Sequence, residues 1–183
     1  MGRVKEQRLK KKYVKDYVST EKGNLSYRGK YYHSEISDEE RKKASVIQIL
    51  YGISCFILVL LALCIPCNGN RTIYIVIPVE ITLICLAYYI LGSLALGKTE
   101  GRMEQKDYDK AYQEPIQMLT ISIILYIFSL GGQIIGIFME TSKRSQGDIY
   151  FTMILFFVLV LSVVVWNHQR KIMHYVTEEK NSK

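Results

Sequence analysis

The sequence predicts an all-α membrane protein with four transmembrane helices in two antiparallel hairpins and both termini in the cytoplasm. Three observations support this prediction. The stretch 44–70 holds 27 residues without one Asp, Glu, Lys or Arg. Three further apolar blocks follow it, and the basic residues are concentrated outside these blocks. Because roughly 20 helical residues cross a bilayer core about 30 Å thick, each block is long enough to span.

Local signals set the bounds of the predicted spans. Ser37 and Glu40 form the S-x-x-E pattern of a capping box, so a helix should begin at Asp38 and continue to Pro66. Pro115 suits the start of a helix, because its missing N–H would be unbonded there in any case. We expect the segment 98–114 to be a polar loop. The predicted spans are about 44–65, 72–97, 116–139 and 149–168.

The distribution of basic residues predicts the orientation. Of the 24 Lys and Arg residues, 21 lie before residue 44, in the loop 98–114 or after residue 168, and three lie in the two short turns. By the positive-inside rule, both termini and the middle loop are cytoplasmic and the turns lie outside. The chain then divides into an N-terminal arm (1–37), a helical bundle (38–168) and a C-terminal tail (169–183) of a cell-membrane protein.

Basic residues beside the first span predict contact with anionic lipid head groups. The candidates are Lys10, Lys11, Lys12, Arg41, Lys42 and Lys43. For the first fifteen residues, a solvated tail is the alternative. The net charge of +7 is explained by this cluster, so we expect no nucleic-acid partner.

The N-terminal arm is also rich in tyrosine. Tyr27, Tyr31 and Tyr32 flank Gly29, a pattern that fits either a small hairpin about the glycine or rings at the level of the head groups. Both interpretations stay open on the sequence.

Glu80 is the one charged residue within the second predicted span. A carboxylate at this depth is costly unless it is neutralised, paired or hydrated. One interpretation is a proton-binding or cation-binding site. The other is a structural glutamate that bonds to Gln133 or Tyr126, or that reaches toward Arg71.

Cys64 and Cys67 form a C-x-x-C pair that the topology puts at the outer surface, where disulfides persist in an oxidising compartment. The pair can be a structural disulfide, two reduced thiols or a redox-active dithiol. Cys64 ends its predicted helix, where the negative end of the helix dipole raises a thiol pKa. This position opposes redox activation.

The arrangement of Cys64, Cys67 and Arg71 resembles the quinone-linked disulfide-forming membrane oxidases and, more loosely, the vitamin K epoxide reductases. The resemblance implies a four-helix protein with an outward dithiol and an arginine that serves the quinone. Those oxidases pass electrons to a soluble partner through a second outward cysteine pair, and the turn 141–148 has no cysteine. We expect the remaining thiols, Cys55 and Cys85, to be small packing residues within spans.

Gly132 and Gly136 form a G-x-x-x-G motif in the third span. Small residues one turn apart let helix backbones approach, so we expect this face to make the tightest helix contact, within the bundle or with another copy.

The sequence lacks the common catalytic and nucleotide-binding motifs. The chain has no nucleophile elbow, phosphate loop, zinc-protease motif or nucleotide fingerprint, and its three histidines lack metal-ligand spacing. We therefore expect no cofactor and no metal. The leading hypothesis is a non-enzymatic accessory, regulatory or immunity-type protein that acts through protein or lipid contacts. The alternatives are an oligomeric transporter or channel subunit using Glu80, and a thiol oxidoreductase using Cys64 and Cys67.

Overall fold

The computed structural model describes residues 13, 16–19, 25–139 and 145–179. Four of its helices are long and apolar enough to cross a membrane, which indicates a multi-pass membrane protein. The prediction of a mainly helical chain with four such helices is confirmed. The described residues are not all helical, however, because five short strands accompany the helices.

Helix α1 runs from Asp38 to Cys64 and begins at the predicted capping box. Ser37 Oγ accepts the backbone N–H of Glu40 at 3.3 Å, and the Glu40 carboxylate accepts the N–H of Ser37 at 3.4 Å. The helix ends just before Pro66, which has no N–H to continue it. Three carbonyls at this end accept hydrogen bonds from Asn70 Nδ2, and they belong to Ala62, Leu63 and Ile65.

Helix α2 runs from Ile73 to Leu96, close to the predicted bounds. The third spanning helix differs from the prediction, because it begins at Gln105 and runs to Met139. It comprises α3 (Gln105–Tyr108), a π-helical turn (Asp109–Gln113) and α4 (Glu114–Met139).

Pro115 therefore lies inside the third spanning helix and does not start it. A proline ring clashes with the carbonyl four residues earlier, and the wide π turn just before Pro115 makes room for the ring. A Cβ on Gly92 would overlap this ring, so the glycine lets α2 pack closely against the turn.

Helix α5 runs from Gln146 to His174, beyond the predicted end at residue 168. Its start is a second capping box, formed by Ser145 and Asp148. The segment predicted as a C-terminal tail thus begins as helix, and Gln169 within it is fully buried.

The spanning helices pack in a ring in which α1 contacts α2, α2 contacts α4, α4 contacts α5, and α5 contacts α1. Large apolar side chains cover the outside, as Ile73 and Phe138 illustrate with exposed fractions of 72% and 77%. Polar side chains lie inside, among them Ser45, Gln48, Thr82, Ser93, Ser122, Ser129, Gln133, Ser162 and Gln169. Apolar side chains such as Val59 and Leu155 fill the rest of the interior, so the apolar outer surface is the feature that suits a lipid surround.

Two small antiparallel sheets lie in the segments outside the long helices. Strand β1 (Tyr17–Ser19) pairs with β2 (Leu25–Tyr27). Strand β3 (Tyr31–Ser34) lies between β4 (Arg102–Glu104) and β5 (Val176–Glu178). A hairpin about Gly29 is therefore not formed, because β3 pairs with distant strands. We call this end of the bundle the sheet end, and the end with residues 65–72 and 145–148 the turn end.

Candidate functional site

The three-stranded sheet joins segments that the sequence analysis treated as an arm, a loop and a tail. Tyr32 in β3 lies opposite Met103 on one side and Glu178 on the other. Two further backbone hydrogen bonds join the same segments. The N–H of Ser34 donates to the carbonyl of Gly101, and the N–H of Glu35 donates to the carbonyl of Tyr175. The sheet end is therefore one folded surface built from three parts of the chain.

Stacked tyrosines fix this surface to the helices. The rings of Tyr32 and Tyr108 stack with centroids 4.0 Å apart and planes 7° apart, and Tyr112 stacks on Tyr108 at 5.6 Å. Met103 and Ile172 complete the apolar cluster beneath the sheet. Offset ring stacking adds about 0.5–1.5 kcal/mol per pair to the burial of apolar area. The strands consequently pack on a second apolar cluster at the ends of the spanning helices, distinct from the cluster in the middle of the bundle.

The described part of the arm is held by tyrosine hydroxyls. Tyr13 is 3% exposed and donates to Asp109 Oδ2 at 2.7 Å, and Tyr17 donates to Glu104. Tyr27 donates to the carbonyl of Lys30 and accepts the N–H of Gln105 at 3.1 Å. Burial raises the pKa of the Tyr17 and Tyr27 hydroxyls, so both stay protonated and keep donating at neutral pH.

Charged pairs lie along both sides of the sheet. Lys30 Nζ lies 3.0 Å from Glu178 Oε1, and this carboxylate raises the pKa of the lysine. Arg102 Nε lies 2.9 Å from Glu179 Oε2, and its guanidinium lies over the Tyr31 ring at 4.3 Å. Such exposed pairs each stabilise by only about 0–1 kcal/mol, so their main effect is to fix the charge pattern of the surface.

Five of the six predicted lipid-surface residues are lysines, and they fall into two groups. Lys10, Lys11 and Lys12 lie outside the described residues. Lys42 and Lys43 are exposed.

The prediction is wrong for Arg41, which is 2% exposed. Arg41 shares a helix face with Ser45 and Gln48, at spacings of four and seven residues, and this face points into the bundle. One guanidinium nitrogen pairs with Asp38, while Nε and Nη1 have no partner among the described residues.

Asp148 organises the turn end, and the sequence analysis did not identify it. The residue is 2% exposed. Its Oδ1 accepts the backbone N–H groups of Asn68 at 2.9 Å and Gly69 at 3.3 Å, and Nε2 of Gln133 at 3.3 Å. Its Oδ2 accepts hydrogen bonds from three donors. Two are the hydroxyl and the backbone N–H of Ser145, and the third is the side-chain amide of Asn68. The Ser145-x-x-Asp148 capping pattern was the available signal.

The C-x-x-C pair at this end consists of two free thiols. Cys64 is exposed, whereas Cys67 is 5% exposed and packs in the bundle core. Burial raises the pKa of the Cys67 thiol, which opposes formation of the nucleophilic thiolate. Arg71 is exposed at the end of a short 3₁₀ turn (Gly69–Arg71). This geometry offers little support for redox chemistry.

The structure does not bring the three predicted intramembrane polar residues together. Glu80 is exposed on the outer face of α2, next to the inward-facing Val79. Gln133 bonds to Asp148, and Tyr126 is fully buried in the bundle core. The expected bond from Glu80 to Gln133 or Tyr126 is therefore not formed.

The two glycines of the G-x-x-x-G motif differ in surroundings. A Cβ on Gly132 would lie 3.2 Å from Tyr74 Cε2 and 3.3 Å from Ile75 Cγ1, so this glycine lies at the contact between α4 and α2. That contact is the most extensive one between helices in the described chain. A Cβ on Gly136 would have no neighbour within 4 Å.

Within the described residues, no group of three or more His, Cys, Asp or Glu side chains is arranged to hold a metal. No protein-family model, curated protein or solved structure matches this chain.

Proposed function

We propose that this chain is a non-enzymatic accessory, regulatory or immunity-type protein of the cell membrane that binds a partner protein at its sheet end. The partner is another protein or a second copy of this chain. The observation that carries the proposal is that three distant segments are held together by strand pairing, stacked tyrosines and ion pairs. Spanning a bilayer does not require such an ordered surface, so the surface supports a role in binding.

The composition of this surface supports the proposal. His33 lies between Arg102 and Thr177 in the sheet register, and all three residues are exposed. Tyr175, at the end of α5, is 54% exposed. Tyrosine and arginine are enriched at protein interfaces, because they offer a large contact area together with hydrogen bonds.

The proposal sets the sheet end in the cytoplasm and the turn end outside, with the spans paired as two antiparallel hairpins. The concentration of 21 of the 24 basic residues in the sequence segments 1–43, 98–114 and 169–183 supports this orientation. Strand pairing supports it too, because hydrogen-bonded segments must lie on the same side of the bilayer. The exposed Lys42 and Lys43 are then available to anionic head groups of the inner leaflet.

Reporter fusions after Lys183 test the orientation. A green fluorescent protein, which folds in the cytoplasm, should fluoresce in this fusion. Alkaline phosphatase, which becomes active only after export, should remain inactive. The opposite pair of results would overturn the orientation and the cytoplasmic partner with it.

Photo-crosslinking in cells tests partner binding. A photoreactive amino acid in place of His33 or Thr177 should give an adduct of defined mass. The matched controls are Tyr74 and Tyr150, which are 56% and 58% exposed but lie near the turn end. Adducts of the same mass from both ends, or none at the sheet end, would contradict the proposal.

A further inference from the structure

A cleft of about 850 Å³ lies where α2 ends, at the sheet end of the bundle. Leu91 and Leu94 of α2 form its apolar wall. Charged side chains from the following loop, from α3 and from the π turn form the rest, and they include Lys98, Glu100, Asp107 and Lys110. The volume is within the range of about 300–1,000 Å³ typical of small-molecule sites.

Four of the charges in the cleft are available to a ligand. Lys98, Lys110, Glu100 and Asp107 are exposed, and none forms a side-chain hydrogen bond or ion pair with another described residue. The other two charged residues of the lining are engaged, since Arg102 pairs with Glu179, and Glu104 accepts the Tyr17 hydroxyl. The cleft therefore offers two free positive and two free negative groups.

A second groove of about 340 Å³ lies beside the cleft, between α1 and α2. Only apolar side chains line it, namely Ile53, Phe56, Ala87, Ile90 and Leu91. Leu91 lines both cavities, and Ala87, Leu91 and Leu94 follow one face of α2 at spacings of four and three residues, with Lys98 two residues beyond the end of the helix. The charged cleft at the end of the span thus adjoins an apolar groove between two spanning helices.

We propose that the cleft and the groove together bind one phospholipid with an ethanolamine head group. Lys98 and Lys110 hold its phosphate, Glu100 and Asp107 accept hydrogen bonds from its ammonium, and an acyl chain occupies the groove. Hydrogen bonds between ionised groups are about twice as strong as those between neutral ones. The site needs only helices that span a bilayer, and it does not rest on the proposed partner.

The charge balance selects this head group over the two common alternatives. An anionic glycerol head group leaves Glu100 and Asp107 without a cation and adds repulsion. A choline head group has no N–H to donate to these carboxylates and is bound best by aromatic cages. The aromatic ring in the cleft lining, Tyr31, is already covered by Arg102.

Native mass spectrometry of the full chain, released from detergent with added lipid, tests the proposal. We expect one dioleoyl phosphatidylethanolamine to bind at least tenfold more tightly than the phosphatidylcholine or phosphatidylglycerol of the same chains. Equal binding of the three lipids, or preference for phosphatidylglycerol, would overturn the selection. This comparison uses the unaltered protein and so does not depend on any variant folding.

Paired substitutions locate the site. Lys98→Ala with Lys110→Ala should weaken phosphatidylethanolamine binding at least tenfold. Arg71→Ala with Lys171→Ala removes the same charge from two exposed positions that do not line the cleft and should leave binding unchanged. Equal losses from both pairs would mean general attraction to lipid and would overturn the site.

Two further variants separate the head-group and chain contacts. Glu100→Gln with Asp107→Asn should abolish the preference for phosphatidylethanolamine over phosphatidylglycerol. Ala87→Phe fills the groove from an exposed position and should weaken binding of all three lipids. An unchanged preference in the first variant would contradict the assigned role of the carboxylates, and unchanged binding in the second would contradict the groove.

Discussion

Asp148 Oδ1 accepts the backbone N–H of Asn68 at 2.9 Å, across 80 residues of sequence. This bond ties the turn between α1 and α2 to the first turn of α5. Gln133 joins the same carboxylate from α4, so elements from all parts of the bundle meet at one buried side chain. In a low-dielectric region, hydrogen bonds to a charged acceptor are strong, and loss of the acceptor leaves several donors without a partner.

Asp148→Asn tests this junction with almost no change of shape. Each carboxylate oxygen accepts from three donors, so either orientation of the amide puts an N–H₂ group against N–H or O–H donors. We expect a loss of about 2–4 kcal/mol in the free energy of unfolding, measured by thermal unfolding in detergent. Asp107→Asn, at an exposed carboxylate, is the matched control and should lose less than about 0.5 kcal/mol. Equal melting temperatures for the two variants would contradict the role of Asp148.

Gly147 makes a second prediction at the same junction. A Cβ on Gly147 would overlap the backbone carbonyl oxygen of Pro66, which cannot turn aside as a side chain can. Gly147→Ala should therefore destabilise the chain by about 1–3 kcal/mol. Gly131→Ala is the control, because its Cβ would have no neighbour within 4 Å, and helix propensity favours alanine by about 1 kcal/mol. Melting of the two variants side by side checks the prediction, and a stable Gly147→Ala chain would show that the turns are not tightly packed.

Features set by sequence neighbours or by the bilayer were predictable, whereas features set by contacts between distant residues were not. The start of α1 follows from Ser37 and Glu40, because a capping box is a contact between neighbours in sequence. The spans follow from apolar length, since the bilayer imposes it. Asp148 falls in a predicted turn, and its role as a junction is not visible in the sequence because most of its donors come from residues distant in sequence.

The errors at Pro115 and Arg41 have the same physical origin. By sequence, Pro115 suits a helix start, although a π turn accommodates it within the helix and Gly92 of another helix makes room for its ring. Charge alone groups Arg41 with the lipid-facing lysines, although its helix face is set by packing against other elements. The sheet at β3 was also beyond reach, because short strands pair through backbone groups that carry no sequence signature.

Gln48 and Gln169 make a third prediction, inside the bundle. Both are buried, and Gln48 Nε2 donates to Gln169 Oε1, which links α1 to α5. The two remaining amide atoms of the pair, Gln48 Oε1 and Gln169 Nε2, are buried and have no hydrogen-bond partner among the described residues. Gln48→Leu or Gln169→Leu alone should destabilise the chain, because each leaves the other amide buried without its bond.

A double-mutant cycle isolates the interaction between these two residues. The double leucine variant should be more stable than the sum of the single losses predicts, with a coupling of about 0.6–1.7 kcal/mol. Unfolding of all four chains in the same detergent measures it. Strictly additive losses would mean that the two amides do not stabilise each other.

Glu80 gives the last prediction, because its exposed carboxylate lies on a face that is otherwise covered by apolar side chains such as Ile77 and Ile84. A carboxyl side chain that faces hydrocarbon is costly, and insertion scales give about 2.5–3.5 kcal/mol for a charged residue at the helix centre. Glu80→Leu should therefore raise the melting temperature in lipid nanodiscs, and Glu80→Gln should raise it by less. The control is Glu39→Gln, at an exposed site in the first turn of α1, which should leave the melting temperature unchanged. A lower melting temperature for Glu80→Leu would contradict a lipid-facing carboxylate and would indicate that this face is covered by a second copy or another protein.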